Sequence, residues 1–233
     1  MKLAIMQPYL FPYLGYFQLI NAVDKFVIYD NIQYSKRGWI NRNRILQNGM
    51  DKLFTLPLKK DSDYLNVSER YLANNSIDAR KKILRQIMHC YKRAPYFESV
   101  SPIIEKCFRH DDVNLFNFIL NTVTSIVQNL FIRTPVINSS SINYESNLKG
   151  EKKVLAICKA MKADHYINAI GGIGLYDKEE FSSHGIQLTF LKTKPIEYKQ
   201  FEHSFVPSLS IIDVLMFNSI EEIQDLLKDY SLL

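Results

Sequence analysis

The sequence predicts an α/β fold: a parallel sheet with a central helical insertion and a small β-hairpin element. Three observations predict it. Apolar runs at residues 3–6 and 25–29 flank a stretch of helical periodicity, as two buried parallel strands joined by a crossover would. Residues 76–132 keep helical spacing with no strand between. Beyond them helix-like and strand-like stretches alternate again.

Taken in order, residues 3–6 form the first strand. Residues 7–12 must be a loop, since Pro8 and Pro12 each remove an amide donor and restrict the residue before them. Residues 15–22 return to helix, with Tyr16, Leu19, Ile20 and Val23 on one apolar face, and residues 25–29 to strand. Residues 39–40, 44–46 and 53–56 read as short strands, with Asn48-Gly49 suited to a hairpin turn. The helical region breaks near Ala94-Pro95 and Asp111-Asp112, and Asp112 is a candidate N-cap for its last helix. Then follow a helix at 152–161, a strand at 165–168, a turn at Gly171-Gly172, a helix at 178–183, a strand at 186–191 and a last helix at 220–230. With no repeat and no linker, one domain over residues 1–233 is expected, its helical insertion at about 76–132.

Composition narrows the function classes. The chain has 233 residues, 47% hydrophobic and 23% charged, which excludes dominant disorder and fibrous architectures. A net charge of +5 favours an anionic ligand only mildly, and nucleic acid is not expected as a partner. Cys90, Cys107 and Cys158 are scattered through helical stretches and read as small buried hydrophobes, not as a disulfide framework. His89, His110, His165 and His184 show no ligand spacing, so neither a metal nor a cofactor is expected. No secretion signal opens the chain and no window offers about 18 apolar residues in a row, so a cytoplasmic protein without a membrane span is expected.

Ligands of open α/β sheets bind beyond the carboxyl ends of the strands. The loop from Gln7 to Gly15, with Tyr9 in it and Tyr16 just after it, occupies such a position at a helix N-terminus. Stiff packing of its aromatics is the plainer reading. A second feature runs from Ser35 to Arg44, where Lys36, Arg37, Arg42 and Arg44 meet no acid. On a strand, Asn41 and Asn43 share one face and Arg42 and Arg44 the other, which suits amides for sugar hydroxyls and guanidinium forks for phosphate. A solvated basic edge has the same composition. Gly171, Gly172 and Tyr176 sit in a glycine-rich turn after a strand, a ligand loop or a simple turn. Asp213, amid apolar neighbours, needs a partner, structural or catalytic; His203 precedes the same segment, and Ser210 is placed to cap it.

As a set, the stretches MQPYLFPYLGYFQLINAVDKFVIYD, QYSKRGWINRNRIL, YKRAPYF, INAIGGIGLYD and FVPSLSIIDVLMFN resemble the WbqC-like family of bacterial O-antigen and surface-polysaccharide gene clusters. The resemblance implies an aminoacyl (glycyl) transferase acting on a nucleotide- or lipid-linked sugar. Lys36, Arg37, Arg42 and Arg44 would then hold a diphosphate, Gln7, Tyr9, Asn41 and Asn43 the sugar, and Asp213 or His203 would accept the proton. Aminoacyl-tRNA is a conceivable donor. The opening segment also resembles Rossmann-like nucleotidyltransferases, but Tyr13 and Tyr16 stand where their His-x-Gly-His signature has histidines. Neutral phenols are poorer stabilisers of phosphate charge, which weighs against adenylyl transfer. A non-catalytic binding or scaffold protein of the same pathway, or a nucleotide-binding relative of those transferases, is the alternative.

Overall fold

The computed structural model describes residues 1–145, 147–202 and 204–233. Five parallel strands, β1 (Lys2–Met6), β2 (Lys25–Ile28), β5 (Val136–Asn138), β6 (His165–Ala169) and β7 (Gln187–Thr193), join antiparallel β8 (Tyr230–Leu232) in the order β5-β2-β1-β6-β7-β8. The hairpin β3 (Arg42–Gln47) and β4 (Met50–Thr55) forms a separate two-stranded sheet. Chain order reverses between β1 and β6. There the sheet splits outward in both directions, and the crossover loops leave a crevice.

Side-chain alternation divides the interior into two layers. Ala4, Phe26, Ile28, Ile167 and Leu191 face α1 (Leu14–Asn21) and the helical insertion, α2 (Ser76–Tyr91), α3 (Phe97–Phe108) and α4 (Leu115–Asn129). Leu3, Ile5, Val27, Tyr166 and Phe190 face α5 (Gly150–Ala160) and α6 (Lys178–Ser183). α7 (Ile211–Phe217) and α8 (Ile220–Leu226) close the first layer. Asn48 and Gly49 hold φ of 53° and 73°, the left-handed pair of a tight hairpin turn.

The structure corrects several sequence expectations. Trp39 and Ile40 form a bend and not a strand, because the Trp39 carbonyl accepts from Leu10 N–H across the loops and not from a ladder. Asn114 caps α4, its side chain accepting from Asn117 N–H; Asp112 instead accepts from Asn114 N–H and braces Asn117. The last helix stops at Leu226, and residues 230–232 turn back to pair with β7. β5 was not anticipated, being three residues long and too short to show a period. No described helix is long and apolar enough to cross a membrane.

Candidate functional site at the carboxyl edge of the sheet

The proline-and-tyrosine loop and the arginine segment meet over the carboxyl ends of β1, β6 and β7. Their junction is hydrogen-bonded throughout. Asn43 donates from Nδ2 to the Leu10 and Phe11 carbonyls at 3.0 and 2.8 Å, while its Oδ1 accepts from Arg44 N–H. Ser210 Oγ donates to the Phe11 carbonyl, Ser210 N–H to the Arg44 carbonyl and Ile211 N–H to the Pro12 carbonyl. The start of α7 is thus a bracket for both stretches. Ser210 also caps α7 by accepting from Ile212 N–H.

Between the two stretches lies a cavity of about 470 Å3, walled by Tyr9, Pro12, Tyr13, Tyr16, Trp39, Asn43 and Arg44, with Lys192 and Thr193 from the end of β7. A smaller cavity of about 250 Å3 adjoins it, lined by Gln7, Asn168, Gly171, Gly172 and Tyr176. Met6, Tyr9 and Ala169 belong to both, so the two hollows flank the β1–β6 switch point.

The larger cavity is walled mostly by apolar and aromatic side chains, with Arg44, Lys192 and the start of α1 at its border. Neither a side-chain cap nor an acidic first-turn residue covers the N-terminus of α1, whose Gly15 lines the wall. A Cβ on Gly15 would stand 2.7 Å from Thr193 Oγ1, so only glycine lets α1 lie this close to β7. The Arg44 guanidinium stacks 5.3 Å from the Trp39 ring, pairs with Asp51 at 3.2 Å and leaves Nε without a partner among the described residues. Burial pushes the Tyr9, Tyr13 and Tyr16 phenols up, with Tyr9 adding to the effect on Tyr16. They therefore stay neutral near pH 7 and act as donors. Tyr16 Oη donates to the Gln7 carbonyl at 3.0 Å and Tyr9 Oη to Gln7 Oε1 at 3.4 Å, tying loop to helix.

The other sequence candidates are distributed unevenly. Gln7, Tyr9, Tyr16, Asn43, Arg44, Gly171, Gly172 and Tyr176 line the two cavities. Gly172 is confined, since an added Cβ would run into the Asn168 side chain. Asn41 is buried, accepting from Tyr34 Oη and donating to the Leu56 carbonyl, so its amide is spent on the fold. Arg42 Nε holds the Gly38 carbonyl at 2.9 Å, Lys36 pairs with Asp63 at 2.7 Å in solvent, and Arg37 is exposed; none of these lines either cavity. His203 lies outside the described residues.

Asp213 lines neither cavity and is fully buried. Its Oδ1 accepts from Tyr91 Oη at 2.7 Å, and its Oδ2 from Tyr198 Oη at 2.7 Å and Gln200 Nε2 at 2.6 Å. Burial pushes its carboxyl up, against the pull of those three donors. Tyr91 Oη accepts in turn from Leu46 N–H, which connects α7 to α2 and β3. The carboxylate sought as a catalyst from sequence is the hub that steadies the bracket behind the cleft.

Lys192 and Thr193 were missed from sequence. Their signal was available: two polar residues ending an apolar strand run, at the edge where such sheets bind ligands. Among the described residues no group of three or more His, Cys, Asp or Glu side chains could hold a metal ion.

Fold and site together define a mostly parallel α/β protein with an aromatic-walled cleft at its topological switch point. The sequence model of the WbqC-like protein family matches residues 7–225, and the chain belongs to that family. It is 30% identical over 232 residues to an uncharacterized protein of Mycobacterium tuberculosis, covering 97% of both chains. No solved structure matches.

Proposed function

We propose that the protein is a transferase that places an aminoacyl group, glycyl in the simplest case, on a nucleotide- or lipid-linked sugar of surface-polysaccharide (O-antigen) biosynthesis. One observation carries the reading: the uncapped start of α1 and Arg44 line a cavity walled by aromatic rings, which Lys192 at the end of β7 also borders. Two cations and a helix N-terminus suit a diphosphate, and Tyr9, Tyr13 and Trp39 offer flat faces to a base or a sugar ring.

In this reading the larger cavity holds the phosphorylated carrier and the smaller one the reacting sugar and acyl group. Gln7 and Tyr176 orient hydroxyls, and Gly171, where an added Cβ would meet open space, leaves room for close approach of the backbone. Bringing acceptor and donor into adjoining hollows supplies rate by proximity. Asn41, Asn43 and Asp213 act as positioning residues, each holding the loop, the hairpin or α7 in place.

Thermal unfolding in the presence of nucleotide-sugars tests the reading. A ligand at about a hundred times its Kd stabilises the folded state by about 2.7 kcal/mol. For a chain of this size that raises Tm by roughly 5–10 °C. No shift with any nucleotide-sugar, together with no transfer from activated glycine, contradicts it.

A further inference from the structure

We propose that the exposed face of α2, with the hollow at its C-terminal end, is a binding surface for RNA. This is independent of the transferase reading. Lys81, Arg85 and His89 follow one another at four-residue spacing and so stack along one stripe, with Lys82, Lys92 and Arg93 beside it. All six are exposed. Among the described residues, none of the five lysines and arginines makes an ion pair. The chain has 29 Lys and Arg against 24 Asp and Glu, so outside this stripe the charges balance. The stripe is one local concentration of positive charge that the whole-chain average does not show. That is why a mild net charge gave no hint of nucleic acid.

From Lys81 to Arg93 the stripe runs about 18 Å at the helical rise. That spans about five phosphates of a stacked strand. At its end a hollow of about 380 Å3 opens between His89, Lys92, Arg93, the hairpin tip at Gln47 and Asn48, and Phe201. The Arg93 guanidinium lies 6.0 Å from the Phe201 ring. Its other face can stack on a base, while the Gln47 and Asn48 amides meet base edges. An anionic lipid surface fits less well. It calls for a broad apolar flank beside the cations, whereas Ile83, Ile87 and Tyr91 of α2 are turned into the core and only Ile77, at the far end of the stripe, is an exposed large apolar residue of that helix. Along β3, Gln47 in this hollow stands about 10 Å from Arg44 in the larger cavity, so an RNA end seated here lies beside the cleft.

The test is fluorescence anisotropy of a short labelled oligouridylate with the full chain at rising potassium chloride. The expected slope of log affinity against log salt is about −2 to −3.5, for three to five phosphate contacts. Combining Lys81→Glu, Arg85→Glu and Arg93→Glu is expected to lower affinity at least tenfold. The matching glutamine triple is expected to do so less steeply. Lys149→Glu, Lys159→Glu and Lys228→Glu together make the same change in net charge on other exposed positions and are expected to leave affinity within twofold. Circular dichroism checks that each variant is folded. Equal loss in both glutamate triples, no binding at low salt, or preferential binding to phosphatidylglycerol vesicles overturns the proposal.

Discussion

Asp213→Ala is expected to destabilise the protein by about 3–5 kcal/mol, because it strands three buried donors at once. In a chain of this length that corresponds to a fall in Tm of about 10 °C or more. The loss should carry a pH signature. Burial raises the folded-state carboxyl above its unfolded value, so the folded chain holds the proton more tightly. Stability contributed by this group therefore grows as the pH falls through the folded pKa, and levels off below the unfolded value near 3.9. Denaturant unfolding of wild type and variant at several pH values measures the gap. It should widen on acidification; a gap that narrows means the donors outweigh burial and the sign is reversed. A gap below about 1 kcal/mol would remove Asp213 from the role of hub.

Arg44→Ala is expected to weaken nucleotide-sugar binding by roughly ten- to a hundredfold, the loss of one or two charge-assisted hydrogen bonds. The guanidinium is held for the task, stacked on Trp39 with Asp51 on one edge. Its ion pair with Asp51 is half exposed and weakly stabilising, so a ligand phosphate can displace it at little cost. Arg42→Ala should change affinity less than threefold, since that side chain braces the Gly38 carbonyl away from the cavity. Isothermal titration calorimetry on the two variants separates them. Equal losses would indicate a general charge effect in place of a site.

The sheet was legible because each long strand carries its own evidence of burial. In β1 and β2 residues bury against opposite layers in alternation, so both are apolar without interruption. Strands of three residues, β5 and β8, have no such signal, and pairing with β2 and β7 is what makes them strands. At the site, the alternation of Asn41 and Asn43 against Arg42 and Arg44 was readable from sequence, whereas their partners were not. Asn43 turns to the Leu10 and Phe11 carbonyls and Asn41 to Tyr34 and Leu56, contacts between segments that no local pattern encodes. Asp213 looked catalytic for a sound reason, since a carboxylate among apolar residues needs partners. Its partners come from 13 to 122 positions away in the chain. The α2 stripe was visible in the spacing of its cations but was masked by the near-neutral average.

A crystal structure of the protein with a nucleoside diphosphate sugar tests the central claim most directly. The diphosphate is expected between the start of α1, Arg44 and Lys192, with the sugar directed past Tyr9 toward Gly171 and Gly172. A ligand bound elsewhere on the molecule, leaving the hollow between the tyrosine loop and the hairpin empty at saturation, would contradict it.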